Sequence, residues 1–92
     1  MAEQWTFLTN HGRVLLIVAG DPDSRLRDIA EEVGVTERAT QMIIADLEDA
    51  GYLRKERRGR RNHYTINAHK RFRHPHESGH RVSELLGLFA SR

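Results

Sequence analysis

Val14, Leu15, Leu16, Ile17, Val18 and Ala19 form one unbroken apolar run. Its length and flanks predict a helix over about 10–20 that is buried on much of its surface. Thr9 or Asn10 can cap it, Gly20 ends it, and Asp21-Pro22-Asp23 makes a turn. Ser24-Arg25-Leu26 has the length of a small strand. Leu26, Ile29, Ala30 and Val33 then repeat at helical spacing, with Asp28 in the first turn, and predict a second helix over about 27–33. Gly34 stops it. Thr36 is a good N-cap for a third helix over about 37–50, which Gly51 closes.

Two short helices separated by a Gly-containing turn fit a helix-turn-helix. At about 100° per residue, Thr40, Ile43, Ile44, Leu47 and Ala50 share one side of the third helix, and Arg38, Gln41, Met42 and Ala45 share the other. The first set is the expected core face. The second is the face such a helix would offer to a DNA major groove, with the small Ala45 at its centre. Tyr52 to Ile66 then reads as a β-hairpin turning at Gly59-Arg60, apolar at its base and polar at its tip. Residues 67–75 read as a basic linker. A last helix is expected from Pro75 or His76 to about Ala90, with a one-sided stripe of Val82, Leu85, Leu86 and Phe89. Near the start, Trp5, Phe7 and Leu8 are apolar enough to pack on something as a short arm.

Charge sharpens this picture. Residues 51–73 hold nine Lys/Arg and one acid, while the rest of the 92-residue chain holds six Lys/Arg and twelve acids. The net charge of +2 therefore hides a basic block on an acidic body. Such a block points to a polyanion, and double-stranded DNA is the expected one. The length is that of a single domain with one modest core. There is no cysteine, so disulfides, thiolate metal sites and cysteine nucleophiles are excluded. No basic-then-apolar leader opens the chain, and its apolar runs are too short for a membrane span, so a soluble cytoplasmic protein is expected. No nucleophile elbow, phosphate loop or paired acid cluster points to an enzyme.

The stretch LRDIAEEVGVTERATQMIIADLEDAGYLRKERRGRRNHYTI resembles the DNA-binding core of winged-helix regulators of the MarR and ArsR types. The phrase DIAEEVGVTERAT, the junction LEDAGYL and the arginine wing RRGRRNHY carry the likeness, which covers about residues 9–66. It implies a mainly α fold with a small β-hairpin wing, in one domain over 1–92, with a C-terminal helix over about 75–90. It places Thr36, Arg38 and Gln41 at the start of a recognition helix, and Arg57, Arg58, Arg60 and Arg61 in a wing that grips the DNA backbone or minor groove. Glu37 and Met42 stand among the groove positions and are unusual there. Arg54 and Asn62 complete the expected DNA-binding set. The terminal segments match the family's dimerisation elements, so Val82, Leu85, Leu86 and Phe89 are expected to form a homodimer contact. The Cys-bearing metal-sensing box of many ArsR-type proteins is missing.

The function expected is that of a sequence-specific DNA-binding transcriptional regulator, a repressor because so small a chain offers little surface for recruiting polymerase. The alternative is a winged-helix protein-interaction module, or a nucleoid-type DNA-binding module without sequence specificity. The residues imply no cofactor and name no small-molecule or metal effector. His76 and His80 stand four apart with Glu84 a further turn on, a spacing that can hold Zn²⁺ or Ni²⁺. On a continuous helix these three point away from the apolar stripe, so surface histidines are the plainer reading and no metal is expected.

Overall fold

A computed structural model describes residues 5–90. Along them run α1 (Asn10–Gly20), α2 (Leu26–Val33), α3 (Glu37–Asp49), β1 (Leu53–Arg58), β2 (Arg61–Ile66) and α4 (Val82–Ala90). The architecture is the expected winged helix: a small helical body carrying one antiparallel hairpin.

Local chemistry sets the element ends. The Thr9 side chain accepts the Gly12 N–H at 3.1 Å and opens α1, and the Thr36 side chain does the same for Ala39 at 3.0 Å and opens α3. Each satisfies a donor that the first turn of a helix leaves unpaired. Between α2 and α3 the backbone reverses at Gly34, whose φ of 88° is costly for any residue with a Cβ. The end of α3 is a Schellman motif. Gly51 sits at φ 84°, its N–H donates to Glu48 O, and the Tyr52 N–H donates to Leu47 O at 2.9 Å. That closure aims the chain directly into β1, so α3 and the hairpin are joined by a hydrogen-bonded corner.

The core lies where the three N-terminal helices meet the hairpin base. Val14, Leu15, Val18, Ile29, Ile43, Ile44, Leu47, Tyr52, Leu53 and Tyr64 are all buried there, and Val82 joins them from α4. The expected inner face of α3 is correct. Thr40 is also fully buried, with its hydroxyl donating to Thr36 O at 2.9 Å, so it costs no unsatisfied polar group.

Two expectations fail. Ser24-Arg25-Leu26 is not a strand. Leu26 already begins α2, and the hairpin meets this region through a backbone bond from Tyr64 N–H to Pro22 O instead. Residues 67–75 do form an irregular linker between β2 and the last helix, and it is tied to the body. The Asn67 N–H donates to Tyr52 O at 2.9 Å, and the Tyr52 hydroxyl donates to Arg71 O at 2.6 Å. The last helix starts at Val82, not near 75–76. An antiparallel bridge pairs Arg81 with Arg71, Phe72 N–H donates to His80 O, and Pro75 to Gly79 form turns.

The α4 N-terminus is then satisfied from outside the helix. The Val82 and Ser83 N–H groups donate to Lys70 O and Ala68 O at 2.9 and 2.8 Å. Glu84 reaches back to the Arg81 N–H at 3.0 Å, the glutamate half of a capping box, while its other oxygen lies 2.6 Å from His80 Nδ1. The hydrogen bond from His80, then that from the Arg81 backbone, holds the Glu84 carboxyl below its ordinary value of 4.5. A lowered carboxyl pKa stabilises the fold fully above that ordinary value, and the contribution is lost as pH falls through the lower folded value. Glu84→Gln should therefore unfold at lower urea than the parent near neutral pH, with the difference shrinking as the carboxyl is protonated in acid. A difference that persists in acid would assign the effect to packing.

At the other end, Trp5 and Phe7 meet edge to face at 5.4 Å but stay exposed, so the expected packing of this arm is with itself, with Leu8 half-buried. Residues 1–4 of the arm lie outside the described residues.

Candidate nucleic-acid interface

Two elements present the charge pattern seen in the sequence. On α3, the opposite side from the core holds Arg38, Gln41, Met42 and Ala45, all exposed, and Met42 is 63% exposed despite its apolar side chain. Thr36 and Glu37 are exposed at the N-terminal end of the same helix. Glu48, which would place an acid near that face, is half-buried, and its Oε2 accepts the Lys55 N–H at 3.3 Å. Asp46 is tied to α1 through His11 Nε2 at 2.8 Å.

The hairpin pairs Leu53 with Ile66, Arg54 with Thr65, Lys55 with Tyr64, Glu56 with His63, Arg57 with Asn62 and Arg58 with Arg61. Strand alternation puts Arg54, Arg58 and Arg61 on one face and Arg57 with Asn62 on the other. Gly59 and Arg60 form the turn, with positive φ (63°) at Gly59 alone, as a type II′ hairpin turn needs. Arg54, Arg57, Arg58, Arg60 and Arg61 are exposed, while Asn62 is half-buried. The two faces carry unequal restraints. Arg58 pairs with Glu56 at 3.1 Å, Arg57 Nε donates to Gly59 O at 3.0 Å, and Arg61 donates to Asp23 O at 3.2 Å. The Arg58–Glu56 pair is exposed on both sides and contributes little to stability.

Sequence reasoning missed Asp23 as a member of this site, and with it the partner of His63. His63 Nδ1 lies 2.8 Å from Asp23 Oδ1, across forty positions of chain. The hydrogen bond from His63 holds the Asp23 carboxyl below its ordinary value, and Arg58 and Arg61 act in the same direction. Nothing in an Asp-Pro-Asp turn signals a partner so far along the chain.

The expected dimer residues do not share one environment. Val82 is fully buried in its own core, so it presents no surface to a partner. Leu86 is half-buried and packs on that core, and Leu85 is half-buried beside Phe72. Phe89 is 49% exposed, and Leu88, absent from the predicted stripe, is 76% exposed. The stripe is split because α4 lies against α1 and the core, which cover Val82 and Leu86 and leave Phe89 outside. Leu86 and Phe89 border an open groove of about 870 Å³, shared with Leu16 and Ile17.

The histidine spacing does not make a metal centre. His76 lies in the 75–79 turns, where its N–H donates to His74 Nδ1, and only Glu84 of the three is on the helix. Among the described residues, no three His, Asp or Glu side chains come together as a metal site. Nor is any helix among them long and apolar enough to cross a membrane.

The MarR family profile matches residues 6–61, more than half of the chain. No curated protein matches the sequence. Among solved structures, the chain is similar to the PcaV transcriptional regulator from Streptomyces coelicolor, crystallised in complex with its natural ligand. The identity is 20%, the TM-score 0.57, and the match covers 97% of this chain and 64% of that one. At this identity the likeness is one of fold, and the chain spans just under two thirds of that regulator's length.

Proposed function

This chain belongs to the MarR family of winged-helix transcription regulators, and from that premise we propose that it is a sequence-specific double-stranded DNA-binding repressor acting as a homodimer. The observation that carries the reading is the exposed polar face of α3 set beside an arginine hairpin at a hydrogen-bonded corner. A helix presenting Arg38 and Gln41 outward has the groups that read base edges in a major groove: the guanidinium suits guanine and the amide suits adenine. The hairpin supplies charge for the flanking backbone, which positions the helix without reading sequence. Thr36, Glu37 and Met42 flank the reading face, and Arg54, Arg57, Arg58, Arg60, Arg61 and Asn62 line the hairpin. Two copies related by a two-fold axis would place two recognition helices on a palindromic site. Leu85, Leu88 and Phe89 of α4, with Leu86 beneath, supply the contact. Repression then follows from occupying the promoter.

Selection of bound fragments from genomic DNA tests the proposal. A recovered two-fold symmetric site is the expected result, and fragments without a common motif would favour the non-specific reading. On the recovered site, Arg38→Ala and Gln41→Ala should each cost about 1–3 kcal/mol, with little loss on random duplex. An equal loss on both would mean that these side chains touch only phosphates.

A further inference from the structure

A two-stranded hairpin is marginal by itself and takes its orientation from whatever it leans on. Here β2 leans on the turn between α1 and α2. The Tyr64 N–H donates to Pro22 O at 2.9 Å, Arg61 Nη1 donates to Asp23 O at 3.2 Å, and His63 Nδ1 meets Asp23 Oδ1 at 2.8 Å. The turn is itself stiff. Pro22 fixes one φ angle, Asp21 Oδ1 accepts the Asp23 N–H at 3.1 Å, and Asp21 O accepts both the N–H and the hydroxyl of Ser24. The turn thus does the work of a third strand, with one difference: one of its three bonds to the hairpin is titratable.

An aspartate at this place needs a reason. The hairpin is the most basic part of the chain, and a carboxylate beside it opposes any polyanion. The side chain of His63 is 21% exposed and that of Asp23 is 55% exposed, so the imidazole is held between turn and strand while the carboxylate faces water. The charged groups around His63 are Asp23 from the turn, Glu56 opposite it on β1, and Arg58 and Arg61 within the hairpin. We infer that Asp23 is a positioning residue for the hairpin, locking β2 to the α1–α2 turn through His63, and that the hairpin's grip on a duplex strengthens as His63 takes up a proton. The inference rests on the DNA-binding reading above.

The chemistry is simple. With Nδ1–H donated to Asp23, the proton is gained or lost at Nε2. The neutral ring leaves the Asp23 charge standing beside Arg58 and Arg61. The imidazolium cancels it, and the two arginines face the phosphates with one fewer opposing charge. Linkage makes the effect reciprocal: a bound duplex raises the proton affinity of His63 by the same factor. Histidine is the side chain whose unperturbed titration falls in the physiological range, which sets the pH interval of the test.

Fluorescence anisotropy on one duplex, at fixed ionic strength from about pH 5.5 to 8, tests this across the histidine range. In His63→Asn the amide N–H keeps the bond to Asp23 but takes no proton. The parent should tighten by about three- to fivefold more than this variant as pH falls, the scale of one exposed charge pair. All other groups are the same in both proteins and cancel in the comparison. Asp23→Asn keeps an acceptor for Nδ1–H and loses the carboxylate, so it should bind tighter than the parent at pH 8 and respond less to pH. Asp23→Ala loses both the carboxylate and the acceptor for His63, so it should bind more weakly than Asp23→Asn throughout, with its thermal melt confirming the fold. Parallel pH curves for parent and His63→Asn would overturn the proton linkage, and equal affinity in Asp23→Ala and Asp23→Asn would overturn the positioning role. A parent that binds no duplex, or whose binding ignores the hairpin arginines, would instead overturn the DNA reading itself.

Discussion

Replacing Arg58, Arg60 and Arg61 together by glutamine is expected to weaken binding to every duplex by roughly a hundredfold, taking about 1 kcal/mol for each arginine–phosphate hydrogen bond. All three side chains are exposed, and the turn conformation is set by Gly59, so the fold should survive. The salt dependence is the more specific readout. Each arginine on a phosphate releases condensed counterions, so the plot of log K against log salt should flatten by about 0.9 for each phosphate left without its arginine. Selectivity between the preferred site and random DNA should change little, because interactions with the backbone carry no sequence information. An unchanged slope would remove the hairpin from the interface. A vanished preference with an unchanged slope would mean that it reads bases. Because Arg61 also donates to Asp23 O, its single substitution should weaken binding slightly more than that of Arg60, whose side chain stands at the turn.

The second large effect separates two roles within one short helix. Leu88→Glu with Phe89→Glu places charge on the exposed part of α4 and should give a folded, soluble monomer. Its affinity for a two-half-site operator should fall by about a hundredfold or more, since each half-site is then bound without the other's help. Val82→Asp should behave differently. Val82 is 0% exposed within its own protomer. An unpaired charge there costs about 3–5 kcal/mol, a large share of the stability of a small domain. That variant should unfold instead of dissociating. Sedimentation and circular dichroism on the two variants distinguish the outcomes. A parent chain that sediments as a monomer at tens of micromolar, about where a modest apolar interface assembles, would sink the dimer.

The residues by themselves determined the helix-turn-helix and the hairpin, because those elements are written in local terms. The inward face of α3 follows from helical spacing, its start from Thr36, its end from Gly51, and the hairpin from strand formers about Gly59. The charge split that marks the hairpin needs no structure either. What the sequence missed depends on interactions between distant segments. The late start of α4 comes from the Arg71–Arg81 bridge and from N–H groups satisfied by Lys70 and Ala68, and no periodicity shows it. That delay removes His76 from the helix, while packing against α1 and the core buries Val82 and leaves Leu88 outside. The lock of Asp23 on His63 joins residues forty positions apart through a turn that reads only as a turn. Local propensity decides which elements form. Burial and hydrogen-bond satisfaction between elements decide where each begins, which apolar residues remain for a partner, and what steadies the arginine hairpin.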